Sequence, residues 1–146
     1  YTKENIQKIY SKLYNNINKK NLQLVVIPSM RTPLETIKLA KEYFGSNHLI
    51  IENVDKKAYL SGLSLANFIV VMCDSSSMIS EAALTGKPIY VAQIPSSKND
   101  CRFKKFRDLF KQLNIIKELN DNLETWNYER LDETNRVAQE IKKKLF

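Results

Sequence analysis

Short apolar runs alternate with helix-patterned stretches along this chain, and that alternation constrains the fold more than any other feature. The runs are Leu22–Ile27, His48–Glu52, Phe68–Cys73, Ile89–Ile94 and Ile115–Glu118. Each is short and carries Val, Ile or Leu, a pattern that suits strands buried on both faces of a parallel sheet. Between them lie helical spacings. Lys3–Lys20 sets Ile6, Ile9, Tyr10, Leu13 and Ile17 on one face, and Leu34, Ile37, Leu39, Ala40 and Phe44 follow the same rule up to Gly45. Lys57–Ala66 would turn Tyr59, Leu60, Leu63 and Ala66 inward. Met78–Thr85, the basic stretch Cys101–Leu113 and Glu133–Leu145 complete the helices. Strands alternating with helices predict an α/β fold, a parallel sheet covered on both faces. With right-handed crossovers, about five strands order most simply as 2-1-3-4-5, a three-layer Rossmann-like domain. The 146 residues suit one domain, 1–146, that buries a core without disulfide staples.

Charge narrows the function classes. The net charge is +7, but residues 21–97 are balanced, and the excess sits in residues 1–20, 98–117 and 136–146. A nucleic-acid reader concentrates charge on its recognition element, so no nucleic-acid partner is expected. Lys104, Lys105 and Arg107 read as a solvated face. The longest apolar run, Phe68–Cys73, is far below the roughly 20 residues of a membrane span, so no transmembrane segment is expected. No secretory leader precedes the first helical pattern, which points to the cytoplasm. Two cysteines and one histidine make neither a disulfide framework nor a zinc site. His48 has no acidic partner nearby in sequence and reads as an exposed structural residue. The chain opens on Tyr1 in what already looks like mid-protein helix, so a piece of a larger protein is expected.

In open α/β sheets, ligands bind beyond the carboxyl ends of the strands, where strand order reverses. In the order 2-1-3-4-5 that point lies between strands one and three. The loops there are Ser29-Met30-Arg31-Thr32 and Asp74-Ser75-Ser76-Ser77. Thr32 is the expected N-cap of the helix opened by Pro33. Ser75, Ser76 and Ser77 stand where another helix begins, and the free N–H groups and dipole of such an end attract phosphate. Ser77 and Glu81 are four apart and share a helix face, while Met78, Ile79, Ala82 and Ala83 fall on the buried side. A carboxylate one turn in from a phosphate end can accept hydrogen bonds from the vicinal hydroxyls of a ribose. The same residues have a plainer reading, a serine cap and a first-turn glutamate that complements the dipole.

The stretch Cys73–Val91, reading Cys-Asp-Ser-Ser-Ser-Met-Ile-Ser-Glu-Ala-Ala-Leu-Thr-Gly-Lys-Pro-Ile-Tyr-Val, closely resembles the signature of the elongated-mitochondria fission-factor family. Its bacterial members carry the label of predicted nucleoside-diphosphate-sugar epimerases. Ser29–Pro33, Arg102–Leu109 and Tyr128–Ala138 agree, so the resemblance covers most of the chain from residue 22 onward. Two positions depart from the family pattern. Met30 stands where a second basic residue is usual, and Arg107 where a histidine is expected. More remotely, Ser77–Ala82 followed by Gly86-Lys87-Pro88 looks like the donor-binding helix of GT-B glycosyltransferases, such as the peptidoglycan N-acetylglucosaminyltransferase.

That resemblance implies ribose on Glu81, phosphates at the helix start, and a chain that is the C-terminal half of a two-domain protein whose N-terminal half is missing. The ligand implied is a nucleoside-diphosphate sugar, and the activity a glycosyl transfer or sugar-nucleotide epimerisation. Ser29, Arg31, Thr32, Ser75, Ser76, Ser77 and Glu81 are the expected binding residues, with Arg31 offsetting diphosphate charge. No catalytic residue is assigned. No Gly-x-Gly-x-x-Gly follows the first strand, so no nicotinamide cofactor is expected. The family's eukaryotic relatives are fission adaptors, which implies the alternative of a non-enzymatic protein-interaction scaffold.

Overall fold

The computed structural model describes residues 2–45, 47–72, 76–92, 101–129, 139 and 142–143, the side chains of 76 and 101–103 excepted. The elements run α1 (Lys3–Lys20), β1 (Val25–Val26), α2 (Leu34–Phe44), β2 (Leu49–Ile50), α3 (Lys56–Leu65), β3 (Ile69–Met72), α4 (Ser76–Ala83), β4 (Ile89–Ala92), α5 (Cys101–Gln112) and β5 (Ile116–Glu118). The predicted alternation holds element by element. Of the closing helix expected over 133–145, only residues 139, 142 and 143 are described, and all three are helical. The loop expected over 95–100 lies outside the described residues.

All strand pairs among the described residues are parallel. Among the described residues they form two small sheets, of order β1-β2 and β3-β4-β5. Among the described residues, β1 contributes only Val25 and Val26 to a ladder, both paired with β2, and Val25 is exposed. The chain divides accordingly into two compact units, residues 1–65 with 120–123, and residues 66–119 with 124–146.

In the first unit the core is helical. Thr2 caps α1 by accepting from the Asn5 N–H, and Asn21 ends it in the left-handed region at φ 54°, which Asn tolerates better than most residues. The predicted stripe Ile6, Ile9, Tyr10, Leu13 and Ile17 is buried against α2, which contributes Ile37, Leu39, Ala40 and Phe44. Tyr10 meets Phe44 edge-on at 5.3 Å and donates its hydroxyl to the Thr36 carbonyl at 3.0 Å. Asn16 interrupts the apolar stripe and is fully buried. Its amide donates to the Lys12 and Asn120 carbonyls, and its carbonyl accepts from the buried Leu123 N–H at 3.1 Å. A buried polar side chain needs such partners, and here they hold residues 120–123 onto α1.

Helix α3 departs from expectation. Asp55 caps it, accepting from the Lys57 and Ala58 N–H groups. None of its residues is fully buried, and Leu60, expected inside, is 51% exposed. The close side of α3 runs through Gly62, where a Cβ would lie 2.8 Å from the Ile27 side-chain tip. Leu60 is two residues before Gly62 and points away from that contact.

The second unit is built on β4. Ile89, Tyr90, Val91 and Ala92 are each at most 1% exposed, flanked by β3 and β5 in register. Helix α4 packs on β3 and β4, and α5 on β5. Leu109 and Phe110 face inward from α5, with Phe106 stacked on Phe110 at 4.3 Å. Residues 124–128 run along this unit. Trp126 meets Tyr90 edge-on at 5.3 Å, donates its indole N–H to the Asn114 carbonyl at 2.7 Å, and lies under the Lys117 ammonium.

Candidate functional site

Helix α4 is sharply two-faced. Ile79, Ala82 and Ala83 are fully buried, Met78 and Ser80 half-buried, and Ser77 and Glu81 exposed. Small residues at 82 and 83 allow the helix backbone to approach the sheet closely. The predicted i, i+4 pair therefore occupies the outward face. Ser76 is already helical, so the helix begins two residues earlier than its apolar pattern indicates. Asp74 and Ser75 lie outside the described residues, as does Cys73, and the Ser76 side chain is not described.

The far end of α4 is tied down by contacts not anticipated from the sequence. The Thr85 hydroxyl donates to the Ala82 carbonyl at 2.6 Å and accepts from the Lys87 N–H at 3.1 Å. Gly86 takes φ +73°, a conformation suited to glycine, and the Tyr128 hydroxyl donates to the Lys87 carbonyl at 2.6 Å. The Thr-Gly-Lys-Pro order carried a signal for this turn. Tyr128 carried none, because its partner is 41 residues away.

The other predicted loop is a self-contained turn in the first unit. Thr32 does not cap α2. Its hydroxyl accepts from the Ser29 N–H at 2.9 Å and lies 3.2 Å from the Ser29 hydroxyl. The Thr32 N–H in turn donates to the Ser29 carbonyl, and the Arg31 N–H to the Ser29 hydroxyl. The N-cap of α2 is Pro33, with no side-chain cap. A residue before proline is held extended, and the Thr32 hydroxyl reaches back to Ser29 instead. Arg31 is exposed, and Met30 is 90% exposed. Ser29, Arg31 and Thr32 thus share one turn, and Ser77 and Glu81 one helix face.

Two side readings change. His48 is half-buried rather than exposed. Its Nδ1 accepts from the Leu24 N–H at 3.0 Å, which puts the ring proton on Nε2, and the ring meets Phe44 edge-on. Its role is structural, as expected. Arg107 is only 5% exposed, so it leaves the solvated face on which Lys104 and Lys105 remain. It stands three residues before the buried Phe110, on the same side of the helix. On the outer face of α5, Lys104 donates to Asp108 at 3.0 Å and holds that carboxyl below its ordinary range, with smaller contributions from Lys111 and Arg107. Among the described residues, no cluster of His, Cys, Asp or Glu could hold a metal, and no helix is long and apolar enough to cross a membrane.

The chain matches the family model described as Mitochondrial fission ELM1 over residues 1–145. It belongs to that family. The resemblance read from Cys73–Val91 is thereby borne out. Relatives include the uncharacterized protein RP120 of Rickettsia prowazekii, 30% identical over 95% of this chain and 41% of its own length. The mitochondrial fission protein ELM1 of Arabidopsis thaliana is 27% identical over 80% of this chain and 28% of its own. The chain therefore spans less than half of either relative. No solved structure matches it.

Proposed function

We propose that this chain binds a nucleoside-diphosphate sugar, as the donor-binding part of a GT-B-like glycosyltransferase or sugar-nucleotide epimerase. The observation that carries the reading is the outward pair Ser77 and Glu81, one turn apart at the start of a helix whose opposite face is buried. That helix follows β3 of a parallel sheet, where ligands of open α/β folds bind. Ser75, Ser76 and Ser77 would take the phosphates, aided by the free N–H groups of the helix start, and Glu81 the ribose hydroxyls.

The proposal extends to a cytoplasmic setting, to a separate N-terminal half on the acceptor side, and to no organic cofactor. That Ser29, Arg31 and Thr32 serve the same ligand is its second part. It requires the strand order 2-1-3-4-5, and lower nucleotide affinity in Arg31→Ala is the measurement that decides it.

Glu81→Ala tests the first part. Hydrogen bonds to a charged acceptor contribute about 1.5–3 kcal/mol each, so nucleoside-diphosphate affinity should fall roughly ten- to a hundredfold by calorimetry. Glu81→Gln keeps one acceptor oxygen and should lose less. The melting temperature should barely move, because Glu81 is exposed and lies beyond the first turn of α4, where the dipole contribution has fallen below its usual value of about 0.3–1 kcal/mol. The name of the Arabidopsis relative favours a second reading, an interaction scaffold in fission. Unchanged nucleotide binding in Glu81→Ala would leave that reading in place of ours.

A further inference from the structure

Wholly within the first unit, α1 and α2 flank a solvent-open cleft of about 430 Å³. Gln7, Ser11, Tyr14 and Asn15 line it from one face of α1, and Glu42 and Tyr43 from α2. The volume lies in the range of small-molecule sites, which often form between packed helices. Buried Leu39 supplies an apolar floor. Tyr43 is a fixed wall, held edge-on by Tyr10 at 5.8 Å and tilted against Phe44 at 6.1 Å. Tyr14 is 46% exposed on the opposite helix.

The polar groups of this cleft are notable for what they do not do. Among the described residues, the side chains of Gln7, Ser11, Tyr14, Asn15 and Glu42 and the Tyr43 hydroxyl make no hydrogen bond within the protein. Two amides each offer a donor and an acceptor, three hydroxyls offer both, and one carboxylate accepts twice.

We propose that this cleft is a binding site for a neutral saccharide. Vicinal hydroxyls are both donors and acceptors, so they engage amides, hydroxyls and a carboxylate together, while tyrosine rings cover the apolar C–H face of a sugar ring. No lysine or arginine lines the cleft, which disfavours phosphate and carboxylate ligands. A lone carboxylate on a chain of net charge +7 is a poor match for an organic cation, which would also leave both amide donors unused.

The test is a backbone-amide NMR titration of the whole chain with N-acetylglucosamine and with maltose, using choline and inorganic phosphate as competing chemistries. Saturable shifts confined to residues 7–15 and 39–43 are expected with at least one sugar. The dissociation constant should be about 1 mM, the scale a ligand of this size reaches at ordinary efficiency. Tyr14→Ala and Glu42→Ala should each weaken it by about tenfold or more, the effect of losing roughly one good contact, without a change in melting temperature. Glu81→Ala should leave it unchanged, which separates this site from the one proposed on α4. No saturable shift with either sugar, stronger shifts with choline or phosphate, or both cleft variants keeping the affinity of the unsubstituted chain would overturn the proposal.

Discussion

The two units solve the same problem, burying short β-branched runs, in opposite ways. In the second, β4 lies between two neighbours, and all four of its residues are sealed. The strand carries the core, and α4 contributes small residues that fit closely against it. In the first, β1 and β2 pair over two residues each, and Val25 and Leu49 remain 43% and 53% exposed. There the core belongs to α1 and α2, and polar contacts carry the loops. His48 bonds to Leu24 in place of a carbonyl, Ser29 and Thr32 close their own turn, and Asn16 holds residues 120–123. Among the described residues β1 pairs with β2 alone, so the backbone groups on its other edge need other partners.

The contrast is broken most directly at β4. Tyr90 is 1% exposed, meets Trp126 edge-on, and accepts the Glu124 N–H on its hydroxyl at 2.8 Å. Tyr90→Ala should cost about 3–5 kcal/mol in chemical denaturation, as for large aromatic truncations in cores. Tyr90→Phe keeps the ring and loses the two bonds of the hydroxyl to the Glu124 N–H and carbonyl, about 0.5–1.5 kcal/mol each. Val26→Ala, at a half-buried position of β1, should cost clearly less than Tyr90→Ala. Equal losses would mean that the first unit's strands carry its core after all.

In the first unit the sensitive position is polar. Asn16→Ala orphans the buried Leu123 N–H and removes two donor contacts. The unsatisfied N–H alone should cost about 1–3 kcal/mol. Amide hydrogen exchange at Leu123 should accelerate, which a simple cavity would not cause. Protection retained at Leu123 would show that the loop is held by other contacts.

A smaller effect separates the units by pH. Burial pushes the Tyr10 phenol up to about 12 from an ordinary 10.0. Above pH 10 the unfolded chain gives up this proton while the folded chain keeps it, so the unfolded state binds fewer protons and stability falls as pH rises. The contribution is whole below pH 10 and is lost as pH climbs through about 12. Burial also raises the Tyr90 phenol. Ultraviolet titration of the seven tyrosines should therefore show late-ionising groups, and Tyr10→Phe should remove one near pH 12. A Tyr10→Phe curve that keeps that step would assign it elsewhere.

Legibility followed the same division. In the second unit, the run Phe68–Cys73 and the β4 run specified their strands, and Ile79, Ala82 and Ala83 specified the inner face of α4, because one-sided burial writes itself into a periodic pattern. Ser77 and Glu81 were legible as the outward pair for the same reason. What periodicity could not reveal was a choice between partners. Thr32 had two donors within reach and took Ser29. Arg107 looked solvated and is buried. Leu60 looked inward until Gly62 set the contact side of α3. Asn16 lies between Leu13 and Ile17 on an apolar stripe and was not singled out from the sequence, because its partners at 120 and 123 are more than 100 residues away.

The smallest effect sharpens the comparison at α3. Leu60 and Leu65 are 51% and 80% exposed on a helix with no fully buried residue. Leu60→Ser removes little packed surface, so it should change stability by about 0.5 kcal/mol or less, the usual range for surface substitutions. Gly62→Ala gains about 0.5–1 kcal/mol of helix preference, opposed by the approach of its new Cβ to the Ile27 side-chain tip. That tip is the flexible end of a half-buried side chain and can rotate aside, so the two terms should nearly cancel. Measured together by thermal melting, the variants distinguish two descriptions of α3. Near-neutral values for both mean that this helix rests on the β1 edge through its glycine side alone. A loss of about 2 kcal/mol or more in Leu60→Ser, the scale of a buried Leu truncation, would mean that its outer face is covered in solution.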